Sequence, residues 1–370
     1  MHLRFGSSLF DPSKPEELPA GEHPWMEAVQ RFCRFWFSGQ SHWEAKTSGS
    51  ASGQKTILLN REQLEYSARL SLDHFRFHPE DTGFALAIPA SAAGGFMLLA
   101  RAFLADVDVL LLPPDWLRSQ SVALPEDKKW FLPLLPNQFS ELIRRSNAEN
   151  FSRRLCGILI GGGGISEKSI AAAEALHCPV WHSYGMTETA SHIALRSIHP
   201  EKDSPGFLPL QGVEIRVNAG ACLEINAGIL TNRQWFTSND LGELLPDGRF
   251  LVLGRSDFAV NSGGLKIQPE TEKSFLISLF PEDAGPFDLI GIPDEHLGEK
   301  LVMVFYNETA LVEKIPGILA KIIDREQRKR LPKALYVLPG GPPLLPGGKT
   351  NFRFLREKIP SILPVYSFQT

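Results

Sequence analysis

The sequence predicts an α/β protein: a large N-terminal domain with mixed/parallel sheets and helices plus a small barrel-like subdomain, and a small α+β C-terminal domain. Two buried strand–helix–strand units predict the parallel sheet, because parallel neighbours need a crossover. Short alternating strands with turn signals over Glu214–Leu253 predict an antiparallel or barrel-like subdomain. After Asp257 the apolar runs become short and interleaved with charge. We therefore expect domains at 1–256 and 257–370.

Local signals justify the first elements in order. Trp25–Phe37 has the pattern of an amphipathic helix, and Thr56–Leu59 reads as a short apolar strand. Asn60 is predicted to cap the next helix, with Gln63 three residues later completing a capping box. The apolar spacing that follows extends this helix to about Phe75.

The two predicted strand–helix–strand units come next in the chain. The first consists of strand Phe84–Ala90, helix Gly94–Leu104 and strand Val107–Leu112. The second consists of strand Leu155–Ile160, helix Ser166–Leu176 and strand Val180–Ser183. The four glycines from Gly161 to Gly164 place open backbone at the carboxyl end of a strand, where α/β sheets bind ligands. Gly162 and Gly163 are therefore candidate ligand-binding residues, although a tight strand–helix turn is the alternative.

Composition narrows the classes of function. The 370 residues are 43% hydrophobic and 22% charged, with a net charge of -4, which is typical of a soluble globular protein. We therefore expect no nucleic acid partner, no membrane insertion and a cytoplasmic location. The four cysteines lack metal-ligand spacing and are expected to be reduced. The sequence leaves a homodimer open.

Hydroxyls and glycines alternate in the segment 47–55, which ends in a lysine. Such a loop brings backbone N–H groups close to an anion, and the hydroxyls and the lysine add donors and charge. It is not a Walker A loop, because Gln54 stands where that motif needs glycine. The alternative is a flexible surface turn. The predicted phosphate-binding residues are Thr47, Ser48, Gly49, Ser50, Ser52, Gly53 and Lys55.

The segment Ser183–Thr189 follows the last predicted strand and carries the most specific signal. Tyr184 has a ring that can stack on a base. Thr187 can donate to a phosphate, and Glu188 is a hard oxygen ligand suited to Mg²⁺. Gly185 and Met186, which lie between Tyr184 and Thr187, are further candidates for nucleotide contact. The alternative is an ordinary strand end with a capped helix.

Three more charged residues occupy suitable loop positions. Asp240, predicted to lie in a turn before an apolar strand, can accept hydrogen bonds from vicinal ribose hydroxyls, and Arg255 can reinforce them. Lys349, flanked by glycines, can bring charge to a developing anion. Each alone is more often a turn or surface residue. His192, beside Ser191, can face a substrate carboxylate.

Together these segments resemble the acyl-adenylate-forming superfamily, over nearly the whole chain from Lys46 to Arg356. The resemblance implies a phosphate loop at 47–55, nucleotide and metal residues at 184–188, and an adenylation lysine at Lys349. It implies a hinge at Asp257. It also implies a thioester-forming loop at 261–266, in which Gly263, Gly264 and Lys266 would contact coenzyme A.

Within the superfamily the chain is most similar to the short o-succinylbenzoate–CoA ligases of menaquinone biosynthesis, on the run Tyr184–Arg196 and on 261–266. Ala51 and Gln54 depart from the usual phosphate loop, and the segment Pro89–Gly95 lacks the usual large side chain. This resemblance implies an acid with a second carboxylate. The candidates to hold it are the helix start at Ser91 and Gly94, together with Ser191 and His192.

The implied activity is ligation of a small carboxylic acid to coenzyme A, with ATP and Mg²⁺ and through an acyl-adenylate. Two alternatives remain open at this stage. One is adenylation of another acid with transfer to CoA or a carrier protein. The other is a non-catalytic nucleotide-binding protein, which would be expected to have lost Lys349 or Glu188.

Overall fold

The computed structural model describes residues 1–46, 55–118, 124–198, 205–280, 285–307, 312–322, 324–344 and 350–368. Its helices are α1 (Glu27–Phe37), α2 (Arg61–Phe75), α3 (Ala93–Ala105), α4 (Pro136–Ile143), α5 (Ala148–Ser152), α6 (Glu167–Ala172), α7 (Pro269–Leu279), α8 (Ile315–Ala320), α9 (Arg325–Arg330) and α10 (Phe352–Lys358). No helix in the described part of the chain has the length and apolar character needed to cross a membrane.

The strands form four sheets among these residues. Those up to the middle of the chain are β1 (Leu3–Phe5), β2 (Ser8–Phe10), β3 (His42–Lys46), β4 (Thr56–Asn60), β5 (Thr82–Leu86), β6 (Val109–Leu111), β7 (Lys129–Leu134), β8 (Leu155–Ile160), β9 (Val180–Gly185), β10 (His192–Ser197) and β11 (Leu208–Pro209). The remainder are β12 (Glu214–Val217), β13 (Cys222–Asn226), β14 (Phe236–Leu244), β15 (Phe250–Arg255), β16 (Val260–Ser262), β17 (Leu265–Ile267), β18 (Phe287–Asp294), β19 (Gly298–Phe305), β20 (Ala334–Val337) and β21 (Tyr366–Ser367).

The largest sheet has nine strands in the order β11-β10-β9-β8-β7-β5-β6-β1-β2. The strands from β9 to β1 in that order pair in parallel, and β2, β10 and β11 are antiparallel additions at the edges. The predicted mixed α/β architecture is thus confirmed. The sequence pattern did not predict β7, the central strand that lies between the two predicted units.

Helices cover both faces of this sheet. Trp130 and Phe131 show the division, because successive strand residues point to opposite faces. Phe131 belongs to the core shared with Phe32 of α1 and Phe96 of α3, whose rings lie 5.8 Å apart. Trp130 belongs to the opposite core, with Phe139 of α4. Sheets of this kind bind ligands at the carboxyl ends of their parallel strands.

The predicted capping box at the start of α2 is present. The Gln63 N–H donates to Asn60 Oδ1 at 2.8 Å, and the Asn60 N–H donates to Gln63 Oε1 at 3.0 Å. The helix ends at Phe75 as predicted, with Arg76 in the left-handed region at φ 52°. This helix follows directly on β4, which pairs with β3, so the two strands that flank residues 47–54 are joined in one hairpin.

Some boundaries differ from prediction. The strand expected to reach Ala90 ends at Leu86, because the chain turns before α3 and the Ala92 N–H bonds the Pro89 carbonyl. The helix expected to reach Leu176 ends at Ala172 and continues as one 3₁₀ turn. The predicted antiparallel region is the four-stranded sheet β12-β13-β14-β15.

From β16 onward the strands build a separate sheet, ordered β17-β16-β19-β20-β21 with β18 paired to β19. The described residues of its two apolar cores all lie at or after Val260. The boundary at Asp257 stays a prediction, which this division of the cores supports.

Candidate nucleotide and acid site

The segment that carries the strongest sequence signal links β9 to β10 at the end of the large sheet. One 3₁₀ turn, Thr187–Thr189, joins the two antiparallel strands. Gly185 lies so close to β10 that a Cβ there would sit 2.3 Å from the Ser191 carbonyl oxygen. The glycine is therefore required by the backbone approach. Ala190 completes the turn at φ 59° and ψ -40°, an unfavourable conformation for a residue with a side chain.

Tyr184 is held on two sides. Its ring is 8% exposed and packs near the rings of Phe207 and Phe250, at centroid distances of 5.8 and 5.2 Å. Its hydroxyl donates to Asp240 Oδ2 at 2.7 Å. Burial, with the charge of Asp240, raises the pKa of the Tyr184 hydroxyl, so it stays protonated and acts as a donor. Base stacking by Tyr184 stays a prediction.

Asp240 lies inside strand β14, and the expectation of a turn is wrong. The register of β14 and β15 pairs Asp240 with Arg255, and a local irregularity follows at Leu241–Gly242. Arg255 Nη1 is 3.5 Å from Asp240 Oδ1. The same guanidinium donates to both carboxylate oxygens of Asp257, each at 2.8 Å. The sheet register thus places Asp240 opposite Arg255, and the Arg255 side chain links this predicted ribose-binding pair to Asp257, the predicted hinge residue.

The carboxylates in this cluster favour the binding of a positively charged group. The hydrogen bond to Asp257 raises the pKa of Arg255, with Asp240 and Glu188 adding to the effect. Burial would raise the pKa of Asp257, but the hydrogen bond and the charge of Arg255 together with smaller effects outweigh it, so the pKa is lowered. Two carboxylates therefore contact the Arg255 guanidinium, and Glu188 adds a third negative charge to its surroundings. Triphosphate binding beside them requires further positive charge, such as a metal ion or lysine.

Glu188 and Thr187 are half-buried at the head of the turn. Within the described ranges no group of three or more His, Cys, Asp or Glu side chains gathers as a metal site. Mg²⁺ often binds through one or two carboxylates plus substrate phosphates and water. The donor set at Glu188 therefore fits a magnesium ion that arrives with a nucleotide.

The glycine run lies beside this segment. Gly162 has φ +88°, and Gly162 and Gly163 are exposed. The Gly163 carbonyl accepts from His182 Nε2 at 2.9 Å. Burial lowers the pKa of His182 to about 4, so the ring is neutral near pH 7 and this nitrogen carries the proton. The loop is thereby tied to β9, two residues before Tyr184.

A buried arginine stands behind Ser191 and His192. Arg101, on α3, is 3% exposed, and its Nη2 lies 2.6 Å from Ser191 Oγ and 3.3 Å from His192 Nδ1. Burial lowers the pKa of Arg101 to about 9 and that of His192 well below its usual value. No described Asp or Glu pairs with Arg101. Arg101 Nε and His192 Nε2 have no hydrogen-bond partner among the described residues.

Sequence reasoning missed Arg101. The available signal was one charged residue within the apolar run of α3, since a buried arginine without an anion is expensive. At the start of α3, N-cap Ala92 makes no side-chain cap, so donors near Ser91 and Gly94 remain available. In the described part of the chain, no hydrogen bond joins that helix start to Ser191 or His192. Their joint role stays a prediction.

Other predicted residues lie apart or outside the described residues. Thr47, Ser48, Gly49, Ser50, Ser52, Gly53 and Lys349 fall outside them, whereas Lys55 is exposed just before β4. Gly263 and Gly264, at φ +57° and +83°, form the turn of the hairpin β16–β17. That pair of left-handed residues is what a two-residue hairpin needs. Lys266 is exposed, and among the described residues no hydrogen bond or ion pair joins it to Tyr184, Asp240 or Arg255.

Comparison with known proteins gives similar enzymes. Residues 47–227 match the family model described as AMP-binding enzyme, and the predicted domain boundaries stay a prediction. The chain is similar to the 2-succinylbenzoate–CoA ligase of Enterococcus faecalis, with 24% identity over 348 residues, covering 86% of this chain and 70% of the relative. It is also similar to a probable 2-succinylbenzoate–CoA ligase of Mycobacterium tuberculosis, with 27% identity over 284 residues, covering 69% and 68%.

Solved structures agree on the fold. An acyl-CoA synthetase (AMP-forming)/AMP-acid ligase II-like protein from Dyadobacter fermentans is 26% identical, with a TM-score of 0.57, covering 93% of this chain and 97% of that one. The o-succinylbenzoate coenzyme A synthetase from Bacillus subtilis, solved with ATP and magnesium ion, has a TM-score of 0.70 at 20% identity. That match covers 86% of this chain and 69% of the other.

Proposed function

We propose that this chain, which matches the AMP-binding enzyme model over residues 47–227, is an AMP-forming acid–CoA ligase. A carboxylate oxygen of the acid attacks the α-phosphorus of ATP, which gives an acyl-adenylate and diphosphate. The thiol of coenzyme A then attacks the acyl carbon, the acyl–oxygen bond breaks, and AMP and a proton leave. The observation that carries the proposal is the cluster of Tyr184, Asp240 and Arg255 beside Glu188.

Each residue of the site binds a different part of the nucleotide. Asp240 accepts from the ribose hydroxyls, and Arg255 holds that carboxylate in place. Tyr184 contacts the base, and Thr187 with the glycines at 162 and 163 donates to phosphate. These roles need fixed donors and acceptors, because catalysis of this kind depends on positioning and charge stabilisation.

Positive charge comes from two sources in this proposal. Mg²⁺, held by Glu188, supplies charge neutralisation at the phosphates when bound. Lys349 neutralises the negative charge that develops on the α-phosphate during adenylation. Removing one such interaction typically slows the reaction by about 10²–10³-fold. The hairpin with Gly263, Gly264 and Lys266 serves the second step, with coenzyme A.

We further propose that the acid is o-succinylbenzoate, whose second carboxylate needs a binding site. The support is the buried pair of Arg101 and Ser191, since this guanidinium has no described carboxylate partner. His192, kept neutral by burial, can donate from one ring nitrogen. The named relatives act on 2-succinylbenzoate. A site built for a charged group rejects an acid that lacks it, because its buried donors stay unpaired.

The test is a panel of acids assayed for ATP- and CoA-dependent AMP release. It compares o-succinylbenzoate with benzoate, 4-phenylbutyrate and medium-chain fatty acids. We expect kcat/KM for o-succinylbenzoate to exceed the others by at least about 10²-fold. A monocarboxylic acid turned over equally well would refute the acid assignment and leave the ligase chemistry. AMP release that needs a carrier protein in place of CoA would support adenylation with transfer to a carrier. No AMP release with any acid would support a non-catalytic nucleotide-binding protein.

Variants of Arg101 make the acid assignment sharper. Arg101→Gln should lower kcat/KM for o-succinylbenzoate by about 10–100-fold, because a charge-assisted contact is lost. The same change should leave the slow turnover of benzoate almost unaltered. Arg69→Gln, on the exposed face of the neighbouring α2, is the matched control. An equal loss for both acids would mean that Arg101 has a structural role.

A further inference from the structure

A second cluster of buried polar groups lies far along the chain, in the sheet that follows Val260. Its centre is Asp288 of β18, which is 6% exposed. Lys273 Nζ of α7 lies 2.6 Å from Asp288 Oδ1. The Tyr306 hydroxyl donates to Oδ2 at 2.5 Å, and the Thr350 hydroxyl donates to the same oxygen at 3.1 Å.

The cluster is well satisfied and therefore rigid. Lys273 supplies the counter-charge for the buried carboxylate, and burial together with Asp288 raises the pKa of Tyr306, so that its hydroxyl remains a donor. Tyr306 is 1% exposed and directly follows β19. A helix, a strand and the end of a second strand thus fix the Asp288 oxygens. Thr350 binds to a carboxylate whose position it does not itself determine.

Thr350 marks one end of the segment 345–349. It forms an antiparallel bridge with Leu344, at the other end. The Asn351 N–H donates to the Pro343 carbonyl at 2.6 Å, and Asn351 Oδ1 accepts from the Phe354 N–H at 3.1 Å, which caps α10. The backbone on both sides of the segment is therefore held together, and the Thr350 side chain ties it to Asp288.

We propose that Asp288 is a positioning residue for the adenylation step, acting through Thr350 on the adjacent Lys349. Consecutive Cα atoms are about 3.8 Å apart, so fixing Thr350 limits where the preceding residue can be. The inference rests on the proposed function, in which Lys349 serves adenylation. It assigns Lys273 and Tyr306 to the support of the same carboxylate.

The half-reactions separate this role from a merely structural one. Adenylation is measured by acid-dependent exchange between diphosphate and ATP, and thioester formation from supplied acyl-adenylate plus CoA. The acid is whichever member of the panel is adenylated best. Thr350→Val removes the hydroxyl while Asp288 keeps Lys273 and Tyr306. We expect kcat for exchange to fall by about 10–100-fold, the scale of a small misplacement, with KM for ATP and the thioester step nearly unchanged.

Matched variants complete the design. Thr350→Ser restores the hydroxyl and should recover most of the exchange rate, whereas Thr350→Ala should repeat the loss. The control is Ser278→Ala, which removes an exposed hydrogen bond from the Ser278 hydroxyl to the Phe275 carbonyl in α7. In a Lys349→Ala background, Thr350→Val should cause no further loss of exchange.

The outcomes distinguish the inference from the function on which it rests. If Lys349→Ala slows exchange but Thr350→Val does not, or slows both half-reactions equally, the positioning role is wrong. An additive loss in the double variant contradicts it as well. If no acid supports exchange, or Lys349→Ala leaves exchange intact, the proposed function itself fails in that respect and the inference falls with it.

Discussion

Among single residues, Asp240 shows how the site depends on contacts between distant parts of the chain. It accepts from Tyr184, 56 residues away, and faces Arg255 across a strand pair. Arg255 in turn holds Asp257 through two hydrogen bonds. One carboxylate therefore links the predicted base contact to the predicted hinge, so that its charge matters to both.

Asp240→Asn should raise KM for ATP by about 10-fold or more. The amide has one acceptor oxygen and no charge, so it cannot accept from Tyr184 and from both ribose hydroxyls as well as a carboxylate does. Steady-state kinetics at saturating acid and CoA measure the effect. Asp247→Asn is the control, since Asp247 is exposed in the turn between β14 and β15. Unchanged KM in the Asp240 variant would exclude ribose binding there.

The sequence identified Tyr184, Asp240 and Arg255 by residue type and order, but not how they meet. The Tyr184–Asp240 bond depends on the way β14 lies against β9, which no local pattern reports. Arg101 was missed for the same reason, because its partner Ser191 is 90 residues away. The local sequence shows a charged residue in the helix, but it does not show the buried hydroxyl that accepts its hydrogen bond.

Among elements, those specified by local chemistry were predicted best. The start of α2 was predicted from Asn60 and Gln63 because both hydrogen bonds of a capping box lie within one turn. Strand β5 was predicted too long, since the apolar run through Ala90 does not reveal where pairing stops. Strand β7 was missed although it pairs with both β5 and β8.

Asn60→Ala should lower the free energy of unfolding by about 1 kcal/mol, because a helix N–H loses its acceptor. Urea denaturation at constant m-value is the measurement. Asn137→Ala is a comparison in the first turn of α4, where the side chain is exposed and accepts only from the neighbouring Gln138 N–H. Equal effects of the two substitutions would mean that the capping box does not stabilise the start of α2.

For the whole molecule, two sheets with separate cores must cooperate in a two-step reaction. The cluster of Tyr184, Asp240 and Arg255 belongs to the part before Asp257, whereas Lys349 and the hairpin at Gly263 follow it. Phe258 contacts the Phe352 ring of α10 at a centroid distance of 5.1 Å, so the chain just after the predicted hinge packs on the later part. A few residues at such a junction can absorb a large backbone change.

Asp257→Pro should impair one half-reaction far more than the other, because proline fixes φ and restricts the residue before it. The two rates are diphosphate–ATP exchange and thioester formation from supplied acyl-adenylate. Asp257→Asn is the matched control, since it weakens the bond to Arg255 but keeps the backbone free. Wild-type rates for both steps in the proline variant, or the same pattern in both variants, would argue against a hinge at this residue.

The most direct test of the central claim follows oxygen from the acid to AMP. The acid adenylated best is labelled with ¹⁸O at both oxygens of the reacting carboxylate and incubated with ATP, Mg²⁺ and CoA, and the AMP is analysed by mass spectrometry. Attack on the α-phosphorus followed by acyl–oxygen cleavage predicts one ¹⁸O in each AMP formed. Unlabelled AMP, or products that are ADP and phosphate, would contradict an acyl-adenylate route.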